Sequence, residues 1–206
     1  MNSQQKEFLQ TAALQAKKAG HVFPEMAACE AALESGHPDP VTKVSIYGGS
    51  QLAREGNNLF GMKKHRHNAY GVMRLPAHEF ENGEWIVVEG ADWEKYPDWA
   101  SCFADRMGTL SRLSPYLPHY AAALAAQDPR SYAIQVSESW STDPGWECTC
   151  CSMFQSEAEA QQHAKDNPAS QIRREVEHAV RRIEGLGRAL KVLAIYQACA
   201  EDWNAT

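Results

Sequence analysis

The chain has 206 residues, 44% of them apolar, and a formal net charge of −6 at pH 7. That length holds one domain, or one domain with an insertion, and the apolar share is enough for a real core. The acidic balance argues against a general nucleic-acid or anionic-membrane surface, and no run of about 18 apolar residues offers a bilayer span. The start, Met1 to Glu7, is polar and runs straight into a helical pattern with no signal-peptide core. The expectation is synthesis in the cytoplasm, with any extracellular target reached by another route.

Phe8, Leu9, Ala12, Ala13, Leu14 and Ala16 mark a first amphipathic helix over about residues 3–19, ended by Gly20. Pro24 opens a second helix, apolar on most of its surface and therefore expected to be buried. It ends in Leu33-Glu34-Ser35-Gly36, with the glycine as a stop signal. A carboxyl at the rim of a core is partly desolvated, which favours its protonated form. That is the state a glycosidase acid needs, although an ordinary solvated helix-end glutamate has the same local sequence.

His37 to Gly49 reads as loop, and Ser50 as the cap of a short helical turn at 50–54. Asn57-Asn58-Leu59-Phe60-Gly61-Met62-Lys63 follows. Residues 70–90 read as strands around the turn signal Glu81-Asn82-Gly83-Glu84. Pro97 to Leu113 reads as a helix with Trp99, Phe103, Met107 and Leu110 on one face, followed by helices near 116–126 and 129–138. Cys29, Cys102 and Cys199 stand singly in helical patterns and read as small buried apolar residues.

Leu33-Glu34-Ser35-Gly36, Leu52-Ala53, the Asn57–Lys63 stretch, Tyr96-Pro97 with the helix after it, and Trp140-Ser141-Thr142-Asp143-Pro144 together resemble the glucosaminidase domains of glycoside hydrolase family 73. Flagellar peptidoglycan hydrolases, autolysins and endolysins carry such domains. The resemblance spans about residues 5–144. It implies a lysozyme-like α+β domain, mainly helical, with a small β-hairpin lobe. It also implies hydrolysis of β-1,4 bonds in peptidoglycan glycan strands as an endo-β-N-acetylglucosaminidase without a catalytic cofactor. N-acetylmuramidase action and non-catalytic wall binding are the rival readings.

The resemblance implies Glu34 as the general acid and Glu79, just before the hairpin turn, as the second carboxylate. Glu81 and Glu84 stand nearby as competitors. Asn58, Phe60 and Lys63 are expected to shape the floor of the cleft, and Tyr96 and Trp140 to line it. Phe60, Tyr96 and Trp140 read equally well as core. Asp143 before its proline reads as a cap or turn residue as readily as a catalyst. Where family members often have Trp-Gly, this chain has His37-Pro38-Asp39-Pro40 and a longer loop.

Family members pass quickly from the late Asp-Pro into a helix of the form Ala-x-Lys-Val-Leu-x-Ile-Tyr. Here that helix arrives only at Ala189–Tyr196. Residues 1–145 and 187–206 are therefore expected to form the catalytic domain, with 146–186 inserted, and Pro144 and Arg188 to be neighbours. Within the insert, Cys148 and Cys151 precede Phe154 and a helical run bearing His163. That spacing points to a zinc-finger-like unit in which zinc supplies folding energy. The fourth ligand is open among Cys150, Asp166, Asn167 and His178, and reduced cysteines without metal are the alternative. A monomer is expected, with glycan strands as the partner and no nucleic acid.

Overall fold

The computed structural model describes residues 1–64, 70–81, 84–113, 116–140, 146–147, 153–154 and 177–203. Their contacts fall into two compact units, Met1–Arg112 with Val192–Thr206, and Leu113–Lys191. No described helix is long and apolar enough to cross a membrane.

In the first unit, Ser3–Lys18 forms α1. Its start is closed by a reciprocal pair: the Gln5 amide donates to the Asn2 side chain, and the Asn2 amide donates to that of Gln5. Phe8, Leu9, Ala12, Ala13 and Ala16 recur at helical spacing and bury one stripe against α2 (Pro24–Ser35) and α4 (Trp99–Arg112). Proline opens α2, and Met26 to Ala32 are all buried, so this helix is the centre of the unit. Small alanines on α1 and α2 let the two backbones approach closely.

Beyond α2 the chain makes two short antiparallel strands, β1 (His37–Pro38) and β2 (Ser45–Ile46), where loop was expected. Then comes α3 (Gln51–Gly56), capped by Ser50, whose hydroxyl accepts from the Ala53 amide. A long hairpin follows, β3 (Val72–Glu81) and β4 (Glu84–Glu94), paired from Val72 opposite Glu94 out to Glu81 opposite Glu84. The expected hairpin is present and extends four residues further on its return strand than the pattern suggested.

The second unit holds α5 (Leu117–Ala126), α6 (Pro129–Trp140) and a short strand pair, β5 (Trp146–Glu147) with β6 (Met153–Phe154). Tyr120, Ala123, Tyr132 and Val136 are buried between α5 and α6. The helix α7 (Glu177–Ala198) contributes its residues up to Lys191 here and those from Val192 to the first unit, before a final turn, α8 (Ala200–Trp203). It runs through Gly185 and Gly187 without a break. Arg188 donates to the Ser137 hydroxyl at 2.7 Å, which places it beside the end of α6. Pro144 lies outside the described residues.

Mainly helical architecture with small antiparallel strands agrees with the α+β expectation. Cys29, Cys102 and Cys199 are buried free thiols, as their sequence setting suggested. Burial pushes the Cys102 thiol up to about 12 and raises that of Cys29 further still.

Candidate active site

Glu34 is the penultimate residue of α2 and is half-buried, one residue before the fully buried Ser35. Ser35 fixes the helix end in three directions. Its hydroxyl donates to the Ala31 carbonyl and accepts from the Gly48 amide at 3.0 Å, and its carbonyl accepts from the Ser50 amide at 3.0 Å. Gly36 ends the helix for a reason other than the one its identity suggested. Its φ of −62° and ψ of 141° are open to any residue. What requires glycine is space, because a Cβ there would stand 2.6 Å from the Ser45 hydroxyl and 3.0 Å from the Ala32 carbonyl.

The Asn57–Lys63 stretch joins the helices to the hairpin. Asn57 takes the left-handed conformation that closes α3, with φ 52°, and its amide donates to the Tyr96 and Pro97 carbonyls. Asn58 is 1% exposed; its amide donates to the Met62 and Glu94 carbonyls and its oxygen accepts from the Met62 amide. Phe60 is 2% exposed, edge-on to Phe103 at 5.3 Å. Tyr96 is buried, and its hydroxyl donates to the Asp105 carboxylate at 2.7 Å. All three side chains are buried among protein groups, the core alternative that the sequence held open for Phe60 and Tyr96. The buried polar groups at Asn58 and Tyr96 are spent on backbone and carboxylate partners, as burial demands.

Lys63 is exposed, with its ammonium 5.9 Å from the centre of the Trp93 ring, and it forms an isolated antiparallel bridge with Trp93 beside β4. Backbone bonds from Lys64 to Asp92 and from Glu94 to Met62 flank that bridge. The base of the hairpin is thus clamped on two sides. Further out the ladder shifts between Leu75 and Ala77, leaving Pro76 on β3 and Glu89-Gly90 on β4 at the irregularity. Proline lacks an amide to donate, and Gly90 has φ +72°. Such a bulge bends a strand and re-aims whatever lies beyond it. Glu79 lies beyond it, opposite Ile86.

Trp140 belongs to the second unit, where its ring packs at 5.5 Å on Tyr116. Asp143, Cys148, Cys151 and His163 lie outside the described residues. Among the described residues no three ligating side chains gather for a metal.

Comparison with known proteins settles the family. The family model for mannosyl-glycoprotein endo-β-N-acetylglucosaminidase matches residues 10–159. The chain belongs to this glucosaminidase family, and it is a glycoside hydrolase. No curated protein sequence matches it. Among solved structures, the catalytic domain of the autolysin Auto from Listeria monocytogenes is similar with TM-score 0.54 and 22% identity, over 69% of this chain and 78% of that one. The C-terminally truncated glycoside hydrolase domain of FlgJ from Salmonella typhimurium gives TM-score 0.54 and 20% identity, over 96% and 98%. A peptidoglycan hydrolase mutant from Sphingomonas sp. A1 gives 0.51 and 23%, over 67% and 84%. At such identities these likenesses establish the shared fold.

Within this glucosaminidase, sequence reading missed a charged cluster one turn below Glu34. Glu30 is 0% exposed and pairs at 3.3 Å with Arg106, itself 2% exposed, whose guanidinium lies 4.4 Å from the Phe60 ring centre. The signal was present as opposite charges on two otherwise apolar helix faces: Glu30 within Met26–Ala32, and Arg106 between Phe103 and Leu110. His21 lies in the same field. Its Nδ1 accepts from the Phe23 amide, and burial depresses its pKa from 6.5 to about 4, with Glu30 opposing and Arg106 reinforcing.

The folded protein therefore holds His21 neutral where the unfolded chain would protonate it. Its contribution to stability is complete above about pH 6.5 and is lost as the pH falls towards 4, amounting to about 3 kcal/mol over that window. Unfolding midpoints in denaturant should show this slope in the parent protein and a flatter one in His21→Asn. Parallel curves for the two would refute the assignment.

Proposed function

We propose that this glucosaminidase hydrolyses β-1,4 bonds of peptidoglycan glycan strands at N-acetylglucosamine, with Glu34 as the general acid. The observation that carries the reading is a half-exposed glutamate at the tied end of a buried helix, in a chain matched by the glucosaminidase model. The similar Listeria and Sphingomonas proteins, an autolysin and a peptidoglycan hydrolase, support the choice of substrate.

Glycoside cleavage requires a proton for the leaving oxygen and a second group to meet the cationic centre or prepare water. Glu34 supplies the first. Glu79 supplies the second from the outer half of the hairpin, by positioning or deprotonating water or by stabilising the cation. The substrate's own N-acetyl group is the competing nucleophile, and the product's anomeric form separates water attack with inversion from that route. Of Asn58, Phe60 and Lys63, Lys63 is the exposed one, which supports reading it as a substrate contact. The zinc-finger-like insert is supported by ligand spacing alone and adds nothing to this chemistry.

Mass spectrometry of the fragments released from purified cell walls tests the specificity. Fragments carrying N-acetylglucosamine at the reducing end are expected. Reducing-end N-acetylmuramic acid would replace this reading with a muramidase.

A further inference from the structure

The segment between Gly36 and Ser50 departs from the family's sequence pattern, and its construction bears on Glu34. Asp39 ties the tip: its Oδ1 accepts from the Val41 amide, the Thr42 amide and the Thr42 hydroxyl. Its own amide donates to the Val44 carbonyl, and its carbonyl accepts from the Lys43 amide. The tip also holds Lys43 at φ 60°, a left-handed conformation that a non-glycine residue keeps only when its surroundings enforce it. These donors hold the Asp39 carboxyl below its ordinary range.

The base is tied to two helices at once. The Gln5 side chain of α1 donates to the Ser45 carbonyl at 2.8 Å. Gly48, at φ +69°, sits so close to Phe8 of α1 that a Cβ would stand 2.7 Å from its ring. On the other side, the Gly48 amide and the Ser50 amide both bond to Ser35, the neighbour of Glu34. A closed tip and a doubly anchored base make a rigid frame around the last turn of α2. An ordinary helix end frays, and this one is held by groups from residues 45–50.

We propose that the β1–β2 hairpin is a bracket that sets the aim of Glu34, with Ser35 and Asp39 as positioning residues. This rests on the reading of Glu34 as the acid. Val41, 85% exposed at the tip, is carried outward by the frame and takes no part in it. A reacting group displaced by about 1 Å loses on the order of 10²-fold in rate, so loosening the bracket should act on kcat.

The test measures kcat, KM and thermal midpoint on solubilised peptidoglycan for Asp39→Ala, Asp39→Asn and Ser35→Ala. Asp39 is on an exposed loop, so Asp39→Ala should fold as the parent does. It should lose roughly tenfold in kcat with KM within about twofold, and Asp39→Asn, which keeps the accepting oxygen, should recover most of the loss. Ser35→Ala should lose more, on the order of 10²-fold. Unchanged kcat in Asp39→Ala overturns the proposal. So does a rise in KM alone, which would make the loop a substrate contact. Glu34→Gln is assayed alongside. If it is inactive while Asp39→Ala keeps full kcat, only the bracket fails; if it is active, the acid assignment fails with it.

Discussion

Exchanging Glu34 for glutamine is expected to lower kcat on cell-wall glycan by about 10²–10⁴-fold while leaving the fold in place. Glutamine has the same shape, fills the same half-buried site at the end of α2, and cannot deliver a proton to the leaving oxygen. The bonds of Ser35 and Gly48 at the helix end are untouched by the exchange, so the variant should unfold at nearly the parental temperature. Turbidity clearance of wall suspensions gives the activity, and a thermal melt gives the fold. Clearance within tenfold of the parent would remove Glu34 from the chemistry. A binding protein without turnover would show equally poor clearance for both.

Removing the Arg106 guanidinium should damage the fold far more than any change at the surface. Arg106→Ala leaves the Glu30 carboxylate at 0% exposure without the cation that faces it at 3.3 Å. Breaking one side of a buried pair costs about 3–5 kcal/mol, against a total stability of about 5–15 kcal/mol for a domain. For a chain of this size that corresponds to roughly 10 °C in Tm. The loss of the guanidinium from the Phe60 ring adds to the deficit. The joint variant Glu30→Leu with Arg106→Leu should recover most of the stability, because two apolar side chains need no compensating charge. If Arg106→Ala melts within about 2 °C of the parent, the pair is not what holds α2 against α4.

The elements that local chemistry dictates were readable from the residues. The first helix follows from its stripe from Phe8 to Ala16, the short third helix from its Ser50 cap, and the hairpin from the Asn82-Gly83 turn signal between β-rich runs. What could not be read depends on distant partners. Asn58 and Phe60 look like cleft residues from their place in a recognisable stretch, yet one satisfies the Met62 and Glu94 backbone and the other packs on Phe103. Gly36 reads as a left-handed stop, while its actual constraint is Ser45, nine positions on in a loop. Gly185 and Gly187 both stand inside α7, and two helix glycines together cost about 2 kcal/mol, which the surrounding turns of α7 absorb. Glu30 and Arg106 show in the sequence only as charges on apolar helix faces, because their pairing and burial exist only once α2 meets α4.

The sealed thiols at Cys29, Cys102 and Cys199 have a practical corollary. Alkylating reagents attack thiolates, and those at Cys29 and Cys102 are held as acids in the dry interior. Modification must therefore wait until the surrounding segment swings open. Because the three stand on α2, on α4 and just past the end of α7, site-resolved labelling would time the breathing of each segment separately, so the molecule carries three built-in chronometers.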